Sequence, residues 1–158
     1  MSKKICLIIG GGRGMGAATA RQMHLRGDKL SLMSPSESCE TLAAELGGIA
    51  KCGRAESESD LNSLFNLTME KYGRIDRVLI HVGGPPKGDL LDIPYDDWDK
   101  ANDMVLKPVI IMAKLVTPVM EKQGGGSIVN ITTFSAFEPS LIFPTSSVYR
   151  AAVSSFTK

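Results

Sequence analysis

Five apolar residues, Ile5-Cys6-Leu7-Ile8-Ile9, run directly into Gly10-Gly11-Gly12-Arg13-Gly14-Met15-Gly16. An apolar run of this length, with no polar alternation, suits a strand buried on both faces of a parallel sheet. The glycines allow a tight turn and let main-chain N–H groups approach an anion at the start of the following helix. This juxtaposition predicts strand, turn and helix with a phosphate cradle at the turn. The loop lacks the Gly-Lys-Ser/Thr ending of a P-loop, which disfavours a nucleoside-triphosphate enzyme.

The alternation then repeats. Residues 4–9, 29–33, 49–52, 78–82 and 127–132 read as strands, and residues 15–25, 60–72 and 98–122 as helices. A helix ending at Leu46, before Gly47-Gly48, is expected to start on a capping box, with Ser34 as N-cap, Pro35 at N1 and Glu37 at N3. Pro108 and Pro118 are expected to bend or split the 98–122 stretch. Thr145 or Ser146 can cap a last helix that begins with Ser147 and still runs at Lys158. The pattern predicts an α/β class fold, a Rossmann-type doubly wound parallel sheet of about five strands with helices on both faces.

With 158 residues the chain has room for one domain, so residues 1–158 are expected to form a single dinucleotide-binding unit. Eighteen Lys and Arg against seventeen Asp and Glu leave a net charge of +1, which gives no electrostatic footprint for a nucleic-acid partner. The first apolar run is too short for a signal core or a membrane span, and the stretch from Pro108 to Met120 is interrupted by Lys114. No membrane role is expected. The three cysteines, Cys6, Cys39 and Cys52, make no metal-ligand spacing and cannot close a disulfide framework. Reduced thiols in a cytoplasmic protein are the expectation, with no metal site.

The spacing G-x-x-x-G-x-G, held by Gly10, Gly14 and Gly16, resembles the first turn of the short-chain dehydrogenase/reductase family, T-G-x-x-x-G-x-G, with Ile9 in place of the threonine. Ile75-Asp76-Arg77-Val78-Leu79-Ile80-His81-Val82-Gly83-Gly84 is similar to the family's I-D-x-L-V-N-N-A-G-G. Gly126-Ser127-Ile128-Val129-Asn130-Ile131-Thr132-Thr133 is similar to G-x-I-V-N-I-S-S, and Arg150-Ala151-Ala152-Val153 to K-A-A-V. The resemblance runs the length of the chain. It implies hydride transfer between a nicotinamide cofactor and a carbonyl or alcohol substrate, in a homodimer or homotetramer. It also implies further strands and a substrate loop beyond the last helix, so the dinucleotide-binding unit is expected to be incomplete at its C-terminus.

The candidate cofactor contacts are Gly10, Gly12, Arg13, Gly14, Met15 and Gly16 at the phosphates, Ser34 and Ser36 near the adenosine ribose, and His81, Gly83 and Arg150 on the nicotinamide side. An NAD site wants a carboxylate at the end of the second strand, and a 2′-phosphate wants a cation. That strand ends in Met33-Ser34-Pro35 while Arg13 precedes Gly14, which favours NADP(H), with NAD(H) left open. Arg54 stands where the family has an aspartate near the adenine.

The family's catalytic pattern of Asn, Ser, Tyr and Lys is altered at every position: Val105, Thr133, Ser146 and Arg150 fall there. The thirteen-residue step from Thr133 to Ser146 matches the family's separation of Ser from Tyr. Thr133 keeps a hydroxyl for a substrate oxygen, whereas an aliphatic Ser146 hydroxyl is a far weaker acid than a phenol. Tyr149, one turn beyond Ser146, is a candidate replacement acid. Divergent family members carry Gly-Gly-Pro-Pro after the fourth strand and Ser-x-x-x-Arg for Tyr-x-x-x-Lys, and Gly83-Gly84-Pro85-Pro86 and Ser146 to Arg150 resemble that branch. The alternative is an NADP(H)-binding pseudoenzyme, a sensor or scaffold without turnover.

Overall fold

The computed structural model describes residues 3–158. Strands β1 (Ile5–Ile9), β2 (Lys29–Ser34), β3 (Ile49–Cys52), β4 (Arg77–Ile80) and β5 (Ser127–Asn130) form one parallel sheet in the order β3-β2-β1-β4-β5. The connecting helices are α1 (Gly14–Leu25), α2 (Ser38–Glu45), α3 (Glu58–Tyr72), α4 (Tyr95–Val105), α5 (Lys107–Lys122) and α6 (Pro144–Phe156).

β1 is central and every residue of it is buried. Its side chains obey the strand period of two. Leu7 and Ile9 pack with Leu61, Leu64, Val109 and Met112 of α3 and α5, whereas Cys6 and Ile8 pack with Ala20 and Leu42 of α1 and α2. Leu7 is wholly buried, so truncating it to Ala is expected to cost about 2–5 kcal/mol.

The N-terminal edge of the sheet is tied by carboxylates. Asp28, just before β2, accepts from the Lys4 N–H at 3.2 Å and from Arg77. Asp76, just before β4, accepts from the Ile5 N–H at 2.9 Å, the Lys4 ammonium at 3.3 Å and two guanidinium nitrogens of Arg74 at 3.1 and 2.6 Å. Two acids thus hold the first main-chain donors of β1 between its neighbours. At the other edge, Ile9 lies opposite Met33 on one side and Ile80 on the other. Chain order reverses between β1 and β4 there, and the diverging loops leave a crevice at the carboxyl ends of the strands.

Several local expectations are corrected. Ser34 is the last residue of β2 and caps nothing: its hydroxyl donates to the Ser36 carbonyl at 2.8 Å, and α2 starts only at Ser38, preceded by Glu37 without any side-chain cap. A hydroxyl that bonds its own turn is withdrawn from capping. The cap that does form is Ser57, which accepts from the Asp60 N–H at 3.2 Å at the head of α3. The 98–122 stretch divides at Leu106, Pro108 enters the first turn of α5, where its missing N–H costs nothing, and Pro118 is accommodated inside that helix. α6 starts at Pro144, so Thr145 and Ser146 lie in its first turn, and the Thr145 hydroxyl donates to the Pro86 carbonyl.

Candidate active site

The first turn is built so that side chains would obstruct it. Gly10 has φ 77, and a Cβ there would overlap the main-chain oxygen of His81. A Cβ on Gly16 would overlap the carbonyl of Gly10, so α1 packs directly on the turn. A Cβ on Gly12 would meet the hydroxyls of Ser34 and Ser38. α1 opens at Gly14 behind an extended Arg13, with no side-chain cap and no acid in its first turn. Its leading N–H groups therefore lack side-chain acceptors, and together with the helix dipole they suit a phosphate. Met15 projects from this turn, 56% exposed.

Beside the turn lies a hydroxyl cluster. Ser36 and Ser38 Oγ are 2.8 Å apart, and Ser38 and Ser34 Oγ 3.4 Å. Ser38 was not singled out in the sequence, although the alternation Ser34-x-Ser36-x-Ser38 was visible there. Ser34 also lines a cleft of about 240 Å³ with Gly10, Arg54, Glu56 and His81. The Arg54 guanidinium pairs with Glu56 at 3.1 Å, and its main-chain N–H donates to Asp60 at 2.9 Å.

A larger cleft of about 820 Å³ adjoins it, and both are walled by His81, Val82, Gly83 and Met104, so they form one groove across the ends of β1 and β4. Thr133, which precedes a short 3-10 turn (Phe134–Ala136), and Ser146, in the first turn of α6, both line the larger cleft, as does Arg150 one turn further on. Arg150 is only 7% exposed. Its guanidinium donates to the carbonyls of Ile131, of Val82 at 3.5 Å and of Gly83 at 3.2 Å, bracing the ends of β4 and β5. Burial pulls its pKa below the usual guanidinium value.

Tyr149 goes elsewhere. It does not line the cleft but packs with its ring centroid 6.3 Å from that of Trp98 on α4, within the cluster formed by α3 to α6. Burial, then the nearby Asp99 carboxylate, push its pKa above the usual phenol range, the opposite of what a proton donor near neutrality needs. Val105 is 1% exposed and belongs to the core, so no amide occupies the family's Asn position. The groove also has walls that the sequence did not mark: Lys87 and Phe143 line the larger cleft. Lys87 directly follows the Gly-Gly-Pro-Pro segment, which the Thr145 hydroxyl, donating to the Pro86 carbonyl, ties to α6. Among the described residues no group of three His, Cys, Asp or Glu side chains is arranged to hold a metal, and no helix is long and apolar enough to cross a membrane.

A family model described as short chain dehydrogenase matches residues 4–158. The whole chain is 30% identical to dehydrogenase/reductase SDR family member 4 of Homo sapiens, aligned with 59% of that protein. Over 84% of its length it is 36% identical to 7alpha-hydroxysteroid dehydrogenase of Bacteroides fragilis, aligned with 54% of that protein. Among solved structures, a 7 alpha-hydroxysteroid dehydrogenase complexed with NADH and 7-oxo glycochenodeoxycholic acid superposes with a TM-score of 0.89 at 26% identity, over 97% of this chain and 62% of that one. Levodione reductase superposes at 0.91 with 24% identity, over 98% and 63% of the two chains, a likeness of fold. The chain spans a little over half the length of the curated relatives it matches.

Proposed function

This chain belongs to the short-chain dehydrogenase/reductase family, and from that premise we propose that it is an oxidoreductase moving hydride between NADP(H) and a carbonyl or alcohol carbon. The observation that carries the reading is the continuous groove, which begins at the glycine turn and serine cluster and ends at the Thr133 and Ser146 hydroxyls. The glycine turn fits the cofactor because the space a Cβ would fill at Gly10, Gly12 and Gly16 lies against main chain and hydroxyls. Gly10, Gly12, Gly14, Met15 and Gly16 would hold the pyrophosphate, and His81 and Gly83 would flank the nicotinamide half.

NADP(H) is the preferred form in this reading. β2 ends without a carboxylate, and Ser34, Ser36 and Ser38 supply hydroxyls on the side where Arg13 supplies a cation. NAD(H) remains a usable second cofactor.

When bound, the cofactor supplies or accepts the hydride. The chain's part is to hold the substrate oxygen between Thr133 and Ser146 and to bring one proton to it, so that a carbonyl, a hydride and a proton give an alcohol. In this reading the imidazole of His81, on the groove wall, is the candidate donor of that proton. Arg150 acts from beneath, holding the strand ends that carry these groups. The substrate is a small molecule, the location a reducing cytoplasm that keeps the buried thiols of Cys6 and Cys39 free, and the assembly, where the full domain is present, a homodimer or homotetramer.

A second reading has its own support: Val105, Ser146 and the turned-away Tyr149 leave no phenol at the cleft, which suits a cofactor-binding sensor or scaffold. The test pairs NADPH fluorescence titration with loss of NADPH absorbance over a panel of ketones and aldehydes. Binding and turnover, both weakened by Arg13→Ala for NADPH more than for NADH and slowed by Thr133→Val, are expected. Binding without turnover of any carbonyl would select the second reading, and failure to bind either nucleotide would overturn both.

A further inference from the structure

The larger cleft is electrostatically one-sided. His81, Lys87 and Arg150 line it, and no Asp or Glu does. Arg150, 7% exposed, has only main-chain carbonyls as partners, and among the described residues neither it nor Lys87 forms an ion pair with a carboxylate. A buried guanidinium is ordinarily compensated by an anion, because carbonyl dipoles solvate it without cancelling its charge. The lowering of its pKa by burial agrees with that missing compensation. The chain as a whole carries a net charge of +1, so the imbalance is local to the cleft. Apart from the hydroxyls of Thr132, Thr133, Ser135 and Ser146, the wall around Lys87 and Arg150 is largely apolar, with Met15, Pro85, Pro86, Ile131, Phe134 and Phe143.

We propose that the cleft selects carbonyl substrates in which a carboxylate accompanies an apolar body, the carboxylate facing Lys87 and Arg150 and the body lying on Phe134, Phe143 and the two prolines. The glycine turn that would receive the cofactor pyrophosphate touches the larger cleft through Met15, while Gly10 lines the smaller cleft, which neither Lys87 nor Phe143 reaches; the pyrophosphate is therefore not the partner of Lys87. The proposal rests on the oxidoreductase reading and deepens it by naming the substrate class. Arg150 donates to fixed carbonyls, so its part is mainly a field that favours the anion, while the exposed Lys87 ammonium is free to pair with it directly.

The test uses benzoylformate and its methyl ester, two aromatic keto compounds that share the apolar body and differ in that a methyl group caps the carboxylate of one and removes its charge. Binding of each to the NADPH-loaded chain is measured by calorimetry at low and high salt, and NADPH oxidation is followed with each. The acid is expected to bind about tenfold tighter than the ester at low salt, the range for a charge-assisted contact at a partly open site. Salt is expected to shrink that preference. Lys87→Gln is expected to pull the acid-to-ester ratio toward one. Arg150→Gln is a harsher variant because it removes the strand brace, and Lys87→Gln keeps the test decisive where that variant does not fold. Equal binding of acid and ester, or a preference unmoved by Lys87→Gln and by salt, overturns the substrate class. The calorimetric arm reads this whether or not turnover occurs, whereas turnover of the ester with no preference for the acid leaves the oxidoreductase reading standing and sinks this one.

Discussion

Replacing Arg150 by Met separates a brace from a cofactor ligand. Methionine keeps an unbranched apolar stem of similar length, so the packing change is small and the lost donors dominate. Of the three bonds, that to the exposed Gly83 is replaced by water, and that to Val82, 3.5 Å long, is at the limit of a hydrogen bond. The bond to Ile131 carries most of the effect. A hydrogen bond from a charged donor is worth about 1.5–3 kcal/mol, and relief from burying a cation offsets part of its loss while the Val82 carbonyl adds to it. The net expectation is a loss of about 2–3 kcal/mol. In urea unfolding the midpoint falls with an unchanged slope, and for a domain of this size the thermal midpoint drops by about 5–10 °C. NADPH affinity, titrated in parallel, changes little as long as the variant is folded. A variant as stable as the parent but with NADPH binding weakened about tenfold, roughly 1.4 kcal/mol, refutes the brace and assigns the guanidinium to the cofactor, as the family resemblance implied.

The other expectations concern the turn and the opposite edge of the sheet. Gly10→Ala meets both a left-handed backbone and the His81 carbonyl, whereas Gly14→Ala, at φ 54 with open space around its Cβ, meets the backbone penalty alone. The first is expected to abolish NADPH binding in a fluorescence titration and the second to cost only about 1–2 kcal/mol of stability, a contrast that equal effects would contradict. Burial raises the Asp76 pKa, but the Arg74 guanidinium, the Ile5 N–H and the Lys4 ammonium outweigh it and hold the carboxyl below its usual range. Its stabilisation is thus present above the unfolded carboxylate value, about 3.9, and is lost as pH falls through the lower folded value; urea midpoints between about pH 2 and 5 are expected to slope less in Asp76→Asn. Burial, then the Asp28 charge, push the Cys6 thiol up to about 12, so iodoacetamide is expected to leave Cys6 unmodified in the native chain and to label it only after unfolding, as read by mass spectrometry of peptides.

How far the sequence reaches depends on the range of the interactions involved. β1 and its glycine turn were legible because five apolar residues and a fixed glycine spacing are local signals. Ser34 was misread as a cap because its hydroxyl had two local partners to choose between and took the Ser36 carbonyl. The division of the long helical stretch was anticipated from Pro108, but its place, Leu106, follows from how the two helices pack. At the site, Thr133, Ser146 and Arg150 line one cleft, while Tyr149, adjacent in sequence, packs on Trp98 because neighbours on a helix face different ways. Lys87 was beyond local reading, since its place beside α6 is set by tertiary contacts such as the bond between Thr145 and Pro86.

The carboxylates that tie β1 between β2 and β4 lie at the pole of the sheet opposite the groove. Anchorage and chemistry are thereby assigned to different ends of the same strands. Residues at the groove end can be exchanged while the anchored end keeps the strands in register, with Arg150 the groove residue that itself braces strand ends. For engineering, the groove is a replaceable head on a fixed stem: S146Y is expected to leave the urea midpoint unchanged, whereas a change at Arg150 takes a donor from the Ile131 carbonyl.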